Sequence, residues 1–469
     1  MSRRKIPMLG ASPRTARSAS TLQLPTDFSP ATSGAPTFTY KKELFHVDLR
    51  EYENAGGDYP QAEEERAAKK TQIKELIHSR WEAAKEVNAF NYALNCMYKC
   101  LDGKYELSIQ LNVERGELRR KPMRFRNIKE PFNSIRFNFT KLHDNEVMMY
   151  LKCEDNPITT DPLDRHLIAV NASPLERDHC LIIPTVNKCH PQVLNPVAIR
   201  LAVDIMLLVT DSDFHILFNS LLGQASVNHL HLHALYWPYD SDLINRCFEH
   251  LADVPDVYII QPPMWLTSAF AFQLTKMEDY EKFKSNIFKC VNFLTDQNQA
   301  HNLFFTRAQP IRTDGPDRVE DRRRQLPLYV TCYVFPRQNI VGAKPPSNFN
   351  PAANELAGCL TSYTYRFFES AAEQAVVRII EEEALLPTNV FQNLCCDLSD
   401  LYSNRPLGTS RESKTSLLDG LSSPEIDELR DTFESFNQPR SPSVRLKNPL
   451  NHTQSVDEQV VRFEIHSAD

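Results

Sequence analysis

Histidine is sparse in this chain, 14 of 469 residues, yet three fall at alternate positions in the run VNHLHLHALYW: His229, His231 and His233. In an extended strand successive side chains point to opposite faces, so the three imidazoles share one face and Leu230, Leu232 and Ala234 share the other. Such a face suits a metal site, because alternate rings can reach one zinc ion. It equally suits nucleophilic catalysis by one ring whose neighbours set its tautomer and orientation. The third reading is no chemistry at all. That reading is favoured for an isolated histidine and is the weakest of the three for a run of this kind.

The residues just ahead of the triad separate the first two. Gly223, Gln224, Ala225, Ser226 and Asn228 offer backbone N–H groups and small side-chain donors, the inventory that holds phosphate oxygens. A metal site has no need of such a loop, whereas a phosphoryl-transfer site does. Zinc stays open as a minor alternative. No cofactor is required by this reading, and a structural metal stays open.

The elements that position these residues follow from periodicity. Glu63 to Asn88 repeats Ile73, Leu76, Ile77, Trp81 and Ala84 at helical spacing. Strand-like runs follow at Lys104 to Leu111, Ser134 to Thr140, Val147 to Leu151, His166 to Val170 and Leu181 to Pro184. A helix is expected from about Asn195 to Thr210, then strands from Phe214 to Phe218 and His229 to Trp237. A second round repeats the order: strand Val257 to Ile260, helix Glu278 to Phe293, strands Asn302 to Phe305 and Leu328 to Phe335, and a helix at about Ala371 to Ala384. Asn219, a loop and a strand ending in Trp237-Pro238 are echoed by Asn302, a loop and a strand ending in Phe335-Pro336, without histidines. The fold class expected is α+β, an antiparallel sheet with flanking helices, duplicated. The expected divisions are a disordered leader (1–40), a triad-bearing half (41–253), a degenerate second half (254–400) and a flexible Ser/Pro-rich tail (401–469) with one short helix at Pro424 to Phe436. The charged stretch 309–327, including Arg322 to Arg324, reads as a solvated loop.

Composition narrows the setting. A net charge of −7 argues against a general nucleic-acid or anionic-membrane binder, so any phosphate site must be local. No run of 18 apolar residues is present, which argues against a membrane span. The first twenty residues are basic and Ser-rich and lack the apolar core of a signal peptide; a transit peptide is the alternative to a disordered cytoplasmic leader. Eleven cysteines, an odd number without a CxxC pair, look like reduced cytoplasmic thiols.

GQASVNHLHLHALYW resembles the signature of the histidine-triad superfamily, and NASPLERDHCLIIP (171–184) is similar to the strand–turn–strand that precedes the triad there. GKYELSIQLN (103–112), RRKP (119–122), FNFTK (137–141), FNSLLGQASVNHLHLH (218–233) and NPAANELAG (350–358) together resemble the GDP-hexose phosphorylases, nearer to the animal GDP-D-glucose enzymes than to the plant GDP-L-galactose enzymes. The resemblance spans roughly residues 75 to 395. It implies a histidine-triad-like sheet duplicated in the galactose-1-phosphate uridylyltransferase manner. It further implies guanylyl transfer from a GDP-hexose to inorganic phosphate through a covalent His231 intermediate, as a monomeric pseudo-dimer or a homodimer. By the same resemblance Ser226 and Gln224 contact the phosphates, Asn219 the phosphate or ribose, and His229 and His233 orient the nucleophile or bond phosphoryl oxygens. Lys141 is a further candidate for phosphate neutralisation, against a solvated lysine at a strand end. His179 is expected to pack beside its turn and His215 to satisfy a core hydrogen bond. Transferases of this superfamily commonly carry Gln where this chain has His233; His there is the hydrolase-like pattern, so hydrolysis releasing GMP is the alternative. Nucleotide binding without turnover is the second alternative.

Overall fold

The computed structural model describes residues 34–48, 61–120, 123–156, 164–252, 254–314, 328–341 and 348–411. Fourteen strands are present among them: β1 (Thr37–Tyr40), β2 (Met97–Cys100), β3 (Ser108–Leu111), β4 (Val147–Cys153), β5 (His166–Val170), β6 (Cys180–Ile183), β7 (Phe214–Asn219), β8 (Leu232–Tyr236), β9 (Glu249–Leu251), β10 (Val254–Ile260), β11 (Ala269–Leu274), β12 (His301–Ala308), β13 (Tyr329–Pro336) and β14 (Cys359–Ser362). The helices are α1 (Gln61–Glu86), α2 (Val113–Leu118), α3 (Pro196–Leu208), α4 (Tyr280–Asp296), α5 (Ala353–Leu356), α6 (Tyr365–Ser370), α7 (Glu373–Glu383) and α8 (Thr388–Tyr402), with short 3-10 turns between. Eleven strands form one sheet in the order β1-β4-β5-β6-β8-β7-β12-β13-β11-β10-β9, antiparallel except where β1 joins β4; β14, β3 and β2 form a second, smaller sheet. The class is α+β.

Alternation along the strands divides the core into two layers. Ile216, Phe218, Leu232, Ala234, Leu303 and Phe305 face a layer built by Trp81 of α1, Leu201 and Ile205 of α3, Ile287 of α4 and Leu398 of α8. Leu217, Leu235, Phe304 and Tyr333 face the other way, onto Leu107, Ile109, Trp237, Trp265 and Leu360 of the small-sheet layer. Residues of one parity thus meet the long helices, and residues of the other meet the small sheet and α5 to α7. Helix α3 is buried almost all round. Asn195 caps it by accepting from the Ala198 amide at 2.9 Å, Pro196 opens its first turn, and its Asp204 accepts hydroxyl bonds from Tyr40 and Tyr280.

Several sequence expectations need correction. Strand β8 begins at Leu232, so His229 and His231 precede it. The run Ser134 to Thr140 is not a strand: Asn138 accepts from the Thr140 amide at 3.1 Å and from its hydroxyl at 2.6 Å, and a 3-10 turn follows at Phe139–Lys141. The leader boundary at residue 40 falls too late, because Phe38 and Tyr40 are buried and Thr37–Tyr40 extends the sheet. The tail boundary at 401 falls too early, since α8 continues to Tyr402 and the Ser410 hydroxyl donates to Asp400 at 2.6 Å. Strand β11 has no counterpart in the sequence reading. The helix expected at Pro424 to Phe436 and the run Arg322 to Arg324 lie outside the described residues.

Candidate active site

His231 is held by backbone and by one buried amide. Its Nδ1 lies 2.8 Å from the His229 carbonyl and 2.9 Å from Gln192 Oε1, both acceptors, so Nδ1 carries the proton and the Nε2 lone pair stays available. The orientation of Gln192 is set independently, because its Nε2 donates to the carbonyls of Asn219 and His231, each at 3.0 Å, while its Oε1 also accepts the His231 amide at 2.9 Å. Burial depresses the His231 imidazole to about 4, so the ring is neutral at physiological pH.

The other two triad rings have different proton positions. His229 Nδ1 accepts from the Phe139 amide at 3.0 Å, which leaves its proton on Nε2, and the ring packs against Phe132 and Phe139. Burial pushes it down to about 3. His233 is set by a fourth histidine. The Leu175 amide donates to His179 Nδ1 at 2.8 Å, placing the His179 proton on Nε2; that nitrogen lies 3.0 Å from His233 Nδ1, which must then accept. His233 therefore presents an Nε2–H donor. Of the three triad rings, His231 alone keeps an Nε2 lone pair.

The loop from β7 to β8 is shaped by close backbone approach. A Cβ on Gly223 would lie 2.7 Å from Ser220 Oγ and 3.0 Å from the His301 carbonyl, so no side chain fits there, and Gln224 takes a φ of +80°. The loop wraps a cavity lined by His231, His233, Asn219, Gln224, Ala225, Ser226, Asn171 and Ser173. Gln224 Nε2 is buried there without a protein acceptor. Asn219 Oδ1 accepts from Asn302 Nδ2 at 2.6 Å and from the Ala353 amide at 3.0 Å, which orients its own amide nitrogen.

Not every sequence candidate reaches this cavity. His229 lies behind the wall. Lys141 turns away, its Nζ donating to the carbonyls of Ile135 and Arg136 at 2.8 Å each. Asn228 ties down the preceding loop by donating to the Glu130 and Pro131 carbonyls. His215 is buried on β7 against the Phe304 ring, away from the cavity. No cluster of three His, Cys, Asp or Glu side chains suited to a metal is found among the described residues.

The structure also brings in residues that spacing did not reveal. Gln192 and His179 sit 39 and 54 positions from their partners. Arg115, Arg119 and Arg120, from α2 and the residues after it, line the cavity together with Asn350, Asn354, Glu355 and Tyr363. Burial raises the Glu355 carboxyl to about 7, although Arg115 and Arg119 oppose the shift. Arg119, Arg120, Asn350, Asn354 and Glu355 were signalled in advance only by the RRKP and NPAANELAG blocks, which carry a likeness but no chemistry of their own, and His179 was read only as packing beside its turn.

Comparison with known proteins gives the same picture along the chain. Residues 72–235 match the GDPGP1-like N-terminal domain and residues 252–404 the GDPGP1-like C-terminal domain. The chain is 64% identical over 451 residues to GDP-D-glucose phosphorylase 1 of Caenorhabditis elegans, covering 95% of this chain and 92% of that protein. It is 32% identical over 311 residues to GDP-D-glucose phosphorylase 1 of Homo sapiens, covering 66% of this chain and 79% of that protein. Among solved structures, yeast Ap4A phosphorylase Apa2 in complex with AMP aligns with a TM-score of 0.45 at 14% identity, covering 67% of this chain and 96% of that one, a likeness too slight to bear on the fold. On the two domain matches and the extent of the nematode similarity, this chain belongs to the GDPGP1-like family.

Proposed function

We propose that this chain is a GDP-D-glucose phosphorylase, converting GDP-D-glucose and orthophosphate to GDP and D-glucose 1-phosphate by guanylyl transfer through His231. The observation that carries the chemistry is the His231 tautomer: Nδ1–H is committed to the His229 carbonyl and Gln192, and Nε2 is free toward the cavity. The choice of substrate follows the names of the relatives. Nε2 attacks the α-phosphorus, the bond to the bridging oxygen breaks, and D-glucose 1-phosphate departs with the electron pair. The guanylylated ring is then cationic, and its Nδ1–H already has two acceptors. An orthophosphate oxygen attacks the same phosphorus, the P–Nε2 bond breaks, its pair returns to Nε2, and GDP leaves. No proton moves to or from His231 in either step.

In this reading the His233 Nε2–H, Ser226 and Gln224 donate to the phosphoryl oxygens, Asn219 steadies the phosphate or ribose, and His229 supports the nucleophile through its carbonyl. A duplicated fold is supported by the strand order, in which β5-β6-β8-β7 with α3 is followed by the mirror series β12-β13-β11-β10 with α4. Two halves divided at residue 253, with β1 and α8 carrying their outer limits to Thr37 and Tyr402, suit that arrangement as a monomeric pseudo-dimer. Eleven cysteines without a disulfide suit the cytoplasm. No helix among the described residues is long and apolar enough to cross a membrane.

The test is product analysis with GDP-D-glucose, with and without phosphate, on the wild type and on His231→Ala. Phosphate-dependent GDP and glucose 1-phosphate, lost in the variant, is the expected result. GMP formed equally well without phosphate would make the chain a hydrolase.

A further inference from the structure

The charges around the cavity are unevenly placed. The triad rings are neutral, and the β7–β8 loop offers only neutral donors. Yet a diphosphate sugar and orthophosphate each bring about two negative charges near neutral pH. The cationic groups lining the cavity are Arg115, Arg119 and Arg120. No ion pair to a carboxylate engages any of them among the described residues. Arg120 lies over the Phe137 ring, 3.2 Å from its centroid. Arg115 donates to the Ser173 carbonyl, and its Nε is buried without an acceptor.

Arg119 is held differently: its hydrogen-bond partners are neutral, and the Glu355 carboxyl it acts on is itself raised to about 7 by burial. Its guanidinium lies 5.1 Å from the centroid of the Tyr363 ring and donates to the Tyr363 hydroxyl at 3.4 Å. With the Asn350 amide oxygen turned toward it, Nη2 and Nη1 donate at 2.7 and 3.2 Å. A guanidinium fixed by an aromatic face and an amide, with donors to spare, is preorganised for a bidentate oxyanion.

The double displacement sets how many anion subsites are needed. Each in-line step places the entering or leaving oxygen opposite His231 Nε2 on the α-phosphorus. The β-phosphate that departs and the orthophosphate that attacks therefore occupy the same position in turn. We infer that Arg115 and Arg119, braced by Asn350 and Tyr363, form one oxyanion subsite that holds the β-phosphate of the nucleotide sugar and then orthophosphate. This rests on the phosphorolytic reading given above, and it makes Arg119 a residue that decides between phosphate and water as acceptor.

The experiment compares wild type with Arg119→Gln and Arg119→Lys, each first shown to melt as a folded protein. Steady-state turnover is followed with GDP-D-glucose and phosphate varied in turn, and the GDP-to-GMP ratio is recorded. In Arg119→Gln the half-saturating concentrations of both substrates rise together, by roughly 10- to 100-fold. The GDP-to-GMP ratio falls at fixed phosphate, and Arg119→Lys recovers part of the loss. A rise for one substrate alone, or for neither, overturns the shared subsite. Titration of orthophosphate alone into wild type and Arg119→Gln tests the subsite apart from turnover. Weaker binding by the variant supports it even if the wild type proves to be a hydrolase, and equal binding overturns it.

Discussion

His179 Nε2 stands 3.0 Å from His233 Nδ1, and the Leu175 amide behind His179 decides which of the two rings donates. A backbone N–H thereby sets the proton position two imidazoles away. The third triad position becomes a fixed Nε2–H donor facing the cavity. His179→Phe fills the space and leaves His233 Nδ1 with only the longer contact, 3.4 Å, from Asn171 Nδ2 to hold its tautomer. We expect kcat to fall roughly 10- to 100-fold, by analogy with the loss of a hydrogen-bond partner that orients a metal-bound histidine, with KM little changed. His179→Gln, which can still donate to Nδ1, should keep more of the activity. Equal losses in the two variants would count against the tautomer relay.

Asn302 occupies the seam where β7 meets β12, paired across the sheet with Asn219. Its buried Nδ2 donates to Asn219 Oδ1 at 2.6 Å and to the Gly223 carbonyl at 2.7 Å, tying the second half of the chain to the loop of the first. Asn302→Leu leaves both acceptors short of a donor and should cost about 1–3 kcal/mol in a urea titration. The half-saturating GDP-D-glucose concentration should rise several-fold, because Asn219 and Gly223 lose their brace. A stability loss with unchanged substrate dependence would mean the seam is only structural.

His231, His233 and their loop were legible because close spacing and donor inventory are local properties, whereas the strand reading failed for His229 and His231, which precede β8. The same logic misassigned FNFTK: Phe137 and Phe139 alternate as in a strand, but the Asn138 side chain competes for the backbone and turns it, carrying Lys141 away from the cavity. The echo of Asn219 by Asn302 was visible in sequence, but only the fold shows that the two meet as a direct cross-strand pair. Gln192 and His179 were not legible as tautomer-setting residues, since nothing in a single sequence says which distant amide or ring will meet a given nitrogen. The arginines were hidden for a related reason. On a chain with a net charge of −7, a local cluster is recognised only once α2 and the approach to β14 are seen to line one cavity.

Buried titratable groups in this site pull stability in opposite directions with pH. Glu355 is raised to about 7, so between the ordinary glutamate value and 7 the folded state holds a proton that the unfolded chain has released. Its contribution is present at low pH and is lost as pH rises through that window. His229 and His231 are depressed to about 3 and 4. Their contribution is present above the ordinary histidine value and is lost as pH falls toward those values. Glu355→Gln keeps an oxygen for the Ala352 amide and removes the ionisation. Urea titrations should find this variant gaining about 1–3 kcal/mol on wild type between pH 5 and pH 8. Both proteins should weaken steeply below pH 6. A pH-independent difference between them would show that Glu355 does not titrate in that range.

Gln192 makes four contacts with one amide, and its removal separates holding His231 from tuning it. It receives the His231 amide, faces Nδ1, and donates to the carbonyls of Asn219 and His231. Gln192→Leu leaves a buried N–H and two carbonyls unpaired, at about 1–3 kcal/mol each if water cannot enter. Folding should suffer along with activity. Gln192→Glu distinguishes the two roles. A carboxylate still accepts from the His231 amide and Nδ1–H, and its charge favours the cationic guanylyl-imidazole, so the intermediate formed from GDP-D-glucose without phosphate should accumulate and persist. The same substitution loses both donated bonds, so the positions of Asn219 and His231 relax and overall turnover should fall. Intact-mass measurement of the guanylylated protein over time checks this directly. A covalent species that forms and decays as in wild type, together with slowed turnover, would limit Gln192 to positioning the ring.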